Sequence, residues 1–374
     1  MEKIQNLQVA RGAAALMIVV SHSHGVIVKR HQEIGAFNAF WLDMQPSVKI
    51  FAGTGVDLFL LLAAFFIFLT GWSKKPSRYK YLEGRFLRIY PLWWIALSMY
   101  IIILLAVSGS TDGASFSDIV KSYALFPFFS PDDAIEPVFE IGWTLQFIVF
   151  YYLLYALLLG LGGIRTLIAV TCVIVSLVCV GLVWDSGIAL VELITNPRTL
   201  GFVIGGWMAW LYKWKADQYR PAYSLVILAV IAIFVFMFLT DEGWRANNAV
   251  ITRFPMAAGI MAILLFDKRL NSVSFPKPFL LTGTASYSIY LFHMFPIIVI
   301  SGIWKRGLII PPAPLPVSAV WLMVIVSGIC SGLCAYFLFE RTLNNFFNRN
   351  RRVDILPAGE AGSVAIAPAN LDVG

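Results

Sequence analysis

Apolar runs of helix length, separated by short polar or Gly- and Pro-containing stretches, follow one another from near the first residue to about residue 340. Their approximate limits are 7–29, 50–72, 89–107, 142–162, 164–185, 198–214, 223–240, 249–266, 280–303 and 316–339. A helix needs about 20 mostly apolar residues to cross a hydrocarbon core roughly 30 Å thick. The runs are continuous and not dyad-alternating, so they predict helices and not a membrane β-barrel. The expected fold is all-α: a polytopic membrane protein of about ten transmembrane helices. Residues 1–341 form one integral-membrane domain, and the tail 342–374 is basic at first and then disordered. The first run holds Arg11 and His22 and is followed by no small-residue cleavage site, so it reads as a retained helix and not a signal peptide.

Composition agrees. Charged residues make up 13% of the chain, apolar ones 59%, and the mean hydropathy is +0.78. A soluble chain carries about 25% charged residues, so disorder and an ordinary cytosolic enzyme are excluded. Placing the N-terminus in the cytoplasm puts 19 of the 28 Lys and Arg residues on the cytoplasmic side. The stretch 108–141, with six Asp and Glu against Lys121, falls outside. Both termini are then cytoplasmic, and the net charge of +7 reflects topology and contact with membrane lipids, not nucleic acid. Cys172, Cys179, Cys330 and Cys334 show no metal-ligand spacing and read as small packing residues inside spans.

Ionisable groups are expensive in lipid, and those that remain usually face a bundle interior or a cavity. Arg11 and His22 are eleven residues apart, so they share one face of the first helix, roughly 16 Å apart along its axis. Asp57, seven residues from the outer edge of the second run, falls at a depth similar to His22 and is expected to orient it. His293, in the ninth run, is either a functional or a satisfied structural histidine. Loop 73–88 is the most basic stretch. Its Arg85 and Arg88, three apart, suit a polyanion at the cytoplasmic surface.

Several motifs resemble the membrane acyltransferase-3 family, especially members that acylate exopolysaccharide or lipopolysaccharide sugars. The residues are Arg11 and His22 in the first helix, Gly55-Val56-Asp57-Leu58-Phe59, Arg85-Phe86-Leu87-Arg88-Ile89-Tyr90-Pro91, Gly142-Trp143-Thr144-Leu145, Ser286 to His293, and Glu340. Two positions depart from the family's pattern. A Ser-Gly pair is Ala63-Ala64 here, and an acid three residues after Trp-Thr-Leu is Ile148.

The resemblance implies a bacterial-type inner-membrane, multi-pass enzyme with no bound cofactor. It would use acyl-CoA, commonly acetyl-CoA, as co-substrate and a polysaccharide or lipid-linked glycan as acceptor. Arg11, Arg85 and Arg88 would hold the donor, while His22, oriented by Asp57, would act as general base or transient acyl carrier. Trp143 would stack on acceptor sugars or belong to an interfacial aromatic belt, with His293 and Glu340 acceptor-binding or structural. The rival readings are an inactive family member and a glycan or lipid transporter.

Overall fold

The computed structural model describes residues 5–34, 45–74, 76–111, 113–215, 249–266, 274–305 and 317–353. These residues are helical, with no strand among them beyond an isolated bridge between Phe129 and Ile135. The helices are α1 (Gln5–Ile34), α2 (Gln45–Lys74), α3 (Arg78–Ser108), α4 (Phe116–Ala124), α5 (Trp143–Leu158), α6 (Gly163–Gly181), α7 (Ala189–Thr195), α8 (Leu200–Lys215), α9 (Ala249–Phe266), α10 (Lys277–Thr284), α11 (Ser286–Phe292), α12 (Met294–Lys305), α13 (Val317–Ala335) and α14 (Arg341–Val353). A π turn, Tyr336–Glu340, joins the last two.

Among the described residues, five helical segments are long and apolar enough to cross a membrane: Gly53–Trp72, Arg78–Ala106, Glu140–Leu161, Gly163–Gly181 and Ser318–Phe347. A sixth is the pair Lys277–Thr284 and Ser286–Gly302, bent by 62°. Helices satisfy every backbone group internally, which lipid demands. The runs expected over 198–214 and 249–266 are helical but short, at 16 and 18 residues. The expected span over 223–240 lies outside the described residues.

Burial ranks the helices. In α2, 61% of the apolar window is buried inside the protein, against 28% in α3 and 22% in the segment that includes α13. Accordingly α2 is the central helix, and α3 and α13 turn large apolar side chains such as Ile102, Leu322 and Met323 outward. The four cysteines also lie on exposed helix faces, which corrects their expected role as packing residues.

Three further expectations need correction. The basic stretch 78–88 is not loop: Ser77 caps the helix by accepting from the Lys80 N–H, and the arginines ride the first three turns of α3. The stretch 108–141 is more than a connection, because α4 begins in a Ser115–Asp118 capping box and packs back along α3. There the Trp93 and Trp94 indoles donate to the Ser122 and Tyr123 carbonyls at 2.9 and 3.0 Å. The ninth run, expected as a single span over 280–303, breaks at Ala285 and again at His293.

Candidate active site

Arg11 of α1 and Arg85 and Arg88 of α3 come together on the wall of one cavity of about 270 Å³. Arg85 donates to the Thr70 hydroxyl at 3.2 Å, with its guanidinium 5.3 and 5.5 Å from the ring centres of Tyr81 and Tyr152. Arg88 is 3.3 Å from the Glu340 carboxylate, which also accepts from Ser288 at 2.6 Å. The π turn carries Glu340 to this position, and such turns recur at functional sites. Among the described residues no Asp or Glu lines the cavity. Three cations among the described residues stand against one carboxylate behind Arg88, so they give this end of the cavity an excess of positive charge.

The middle of the cavity is apolar, walled by side chains that include Phe59, Ala63 and Ile148. Both departures from the resembled pattern thus lie on this wall. The upstream acids do not replace the missing carboxylate. Glu136 accepts from Ser130 within its own loop, Glu140 is exposed, and neither lines the cavity. Burial and the neighbouring Glu140 and Asp132 push the Glu136 carboxyl above the usual carboxylate range.

At the far end of the cavity the Thr144 hydroxyl meets the Tyr290 hydroxyl at 2.7 Å. Tyr290 donates to the Ile141 carbonyl, which leaves Thr144 to donate to Tyr290. One turn beyond, His293 places Nδ1 2.8 Å from the Tyr290 carbonyl and 3.0 Å from that of Ile289. Carbonyls only accept, so Nδ1 carries the proton and Nε2 presents a lone pair. That Nε2 is buried and unpartnered among the described residues. The ring of His22 sits against it, with centroids 5.3 Å apart and planes at 59°. Ile18, one turn before His22, lines the cavity.

Asp57 is not where the sequence placed it. Any Cβ on Gly55 would lie 2.9 Å from both the Ala14 carbonyl and the Met17 side chain, so α2 crosses α1 at that level. The register sets Asp57 beside residue 14 of α1, about 12 Å along the axis from His22. Its carboxylate goes instead to Arg253 of α9, at 3.2 Å from Nε. The two atoms lack hydrogen-bond alignment, so the attraction is Coulombic. Arg253 lies across Gly53, where a Cβ would collide with its guanidinium. Arg198, in the 3-10 turn Pro197–Thr199 that leads into α8, shares the electrostatic field of Asp57 and Arg253, and its guanidinium lies 4.8 Å over the ring of Trp143.

The structure thus gathers Arg11, Arg85, Arg88 and Glu340 at one end of the cavity and His22 with His293 just beyond the other. Asp57 and Trp143 join a separate arginine cluster. Sequence reasoning missed Arg198, Arg253, Thr144 and Tyr290 as site residues. The available signal was Arg253, a lone cation four residues inside an apolar run.

No solved structure matches the chain. Curated relatives do. It is 29% identical to the Exopolysaccharide production protein ExoZ of Rhizobium meliloti (strain 1021) over 320 residues, 83% of this chain and 94% of the relative. It is 25% identical to ORF330 of Acidianus two-tailed virus, whose name carries the word acetyltransferase, over 280 residues, 69% of this chain and 78% of the relative. The acyltransferase-3 family, described as an acyltransferase domain, matches residues 4–336, nearly the whole chain. The chain belongs to the acyltransferase-3 family.

Proposed function

We propose that the protein is a multi-pass enzyme of a bacterial-type inner membrane. It moves an acyl group, most simply acetyl, from cytoplasmic acyl-CoA to a sugar hydroxyl of a cell-envelope or exported polysaccharide. One observation carries this reading: a single cavity has three arginines at one end and a histidine pair just beyond the other. The relative named for exopolysaccharide production supports the acceptor class. In this reading the polypeptide crosses the membrane about ten times, the arginine end faces the cytoplasm and the histidine end faces outward.

Arg85, Arg88 and Arg11 bind the phosphates of the acyl-CoA substrate. The apolar middle takes the uncharged arm of the donor, with the thioester toward His22. A small turn of the His22 ring would let its N–H donate to the His293 lone pair, fixing the tautomer and leaving the other His22 nitrogen as base. His22 then takes the proton of the sugar hydroxyl as its oxygen attacks the thioester carbonyl. The C–S bond breaks, the ester forms, and the proton passes to the departing thiolate.

The test is incubation of purified protein in nanodiscs with labelled acetyl-CoA and candidate glycans. Label in the glycan is expected. Absence of both donor binding and transfer would remove the reading. A second reading is favoured by Ala63 and Ile148 on the cavity wall: a catalytically inactive member acting in polysaccharide assembly. It predicts donor binding without transfer.

A further inference from the structure

We infer that Arg198, Arg253 and Trp143 form a subsite for an anionic group on the acceptor, either a sugar carboxylate or the diphosphate of a lipid-linked glycan. The subsite rests on the reading above for its role, but its ligand chemistry follows from the charges in the cluster. Among the described residues two guanidiniums face one carboxylate there, Asp57. Asp57 is 2% exposed, the Arg253 side chain 18% and Arg198 half-buried, so the cluster's positive charge is only partly solvated. Such a charge is costly unless something neutralises it.

Arg198 is the free partner. Its guanidinium makes no hydrogen bond or ion pair with any described residue, yet its backbone is fixed. The Asn196 side chain accepts from the Arg198 N–H at 3.0 Å, and Pro197 opens the turn. A guanidinium lying over an indole leaves its edge open to pair with a carboxylate or phosphate in bidentate fashion. Trp143 is half-buried, so the exposed part of its ring can lie against a sugar.

Position links this cluster to the cavity. Val56 and Thr144 line the cavity, while their chain neighbours Asp57 and Trp143 belong to the cluster. An acceptor anchored here by its charge holds a hydroxyl near the histidine end.

Four probes test this by calorimetric titration into protein in phosphatidylcholine nanodiscs: a glucuronic-acid disaccharide, its neutral glucose counterpart, farnesyl diphosphate and farnesol. One anionic probe is expected to bind at least about tenfold tighter than its neutral partner. Arg198→Gln should abolish most of that difference, whereas Cys172→Ser, on an exposed helix face, should leave it. Asp57→Asn should tighten anion binding, an effect that simple misfolding does not produce. Preference for the uronate assigns an acidic sugar, and preference for the diphosphate assigns a lipid-linked acceptor. Equal binding of charged and neutral probes, or an unchanged affinity in Arg198→Gln, overturns the inference. Acetyl-CoA titrated into the same preparations separates this failure from failure of the acyltransferase reading.

Discussion

Asp57→Asn is the perturbation that best separates the two places a sequence and a structure put this carboxylate. At 3.2 Å, two unit charges attract by about 5 kcal/mol at an effective dielectric near 20. Removing one partner of a buried pair costs about 3–5 kcal/mol, because the other charge is left uncompensated. Arg253 keeps 18% of its side-chain exposure, and Asn still offers a carbonyl, so about 2–3 kcal/mol is expected. Arg253→Gln should cost a similar amount by stranding Asp57. The double variant replaces a buried ion pair by two neutral amides and should lose only about 1 kcal/mol. The coupling energy is then about 3–5 kcal/mol. Reversible unfolding in mixed micelles of the wild type and the three variants measures it. Losses that add to within about 0.5 kcal/mol would refute the pairing. Transfer activity gives an independent check. If Asp57 instead orients His22, Arg253→Gln will not restore what Asp57→Asn loses.

Four other outcomes are expected. Arg85→Ala and Arg88→Ala should raise the apparent KM for acyl-CoA more than they lower kcat, and an unchanged donor dependence would remove them from the donor site. His22→Ala should reduce transfer by about 10²–10⁴ while insertion is intact, and His293→Ala should shift the pH profile of the remaining reaction. In intact cells a Cys placed at Ser115 should be labelled by an impermeant thiol reagent and one at Ser77 should not; the reverse pattern inverts the topology. The Ser115 side chain and backbone N–H hold the Asp118 carboxylate below its usual range, so its contribution is present above the unfolded value and fades as pH falls through the folded one. Asp118→Asn should therefore speed amide exchange in α4 near neutral pH by removing a cap worth about 1 kcal/mol, with little further change on acidification.

The sequence made the helices legible because twenty apolar residues in a row have few alternatives in lipid. Arg85 and Arg88 were legible as a pair because an i,i+3 spacing fixes their shared face whatever the tertiary fold. Contacts between helices were not, since hydropathy carries no register. Counting residues from span edges put Asp57 level with His22. The actual register is set by the close crossing of Gly55 on Ala14 and Met17, a packing detail that shifts the two groups apart by about 12 Å. The break at Ala285 was hidden for a related reason. Gly283, Thr284, Ala285 and Ser286 are small and contain no proline, so nothing in the apolar pattern marks the bend.

Charge placement joins these pieces into one argument. The described residues include two cationic clusters, each with fewer described carboxylates than guanidiniums: Arg11, Arg85 and Arg88 with Glu340, and Arg198 and Arg253 with Asp57. Between them runs an apolar stretch whose wall includes Ala63 and Ile148. A carboxylate at position 148 would draw cations into that stretch and partly neutralise the arginine end. Ile148 places no charge there. One anionic substrate would account for one unbalanced cluster. Under the proposed function, two clusters fit two anionic substrates whose reacting ends come together near the His22–His293 pair. Ile148→Glu should accordingly weaken acetyl-CoA binding through the arginine end while leaving the uronate or diphosphate probes bound. If it weakens both equally, the two clusters act as one site.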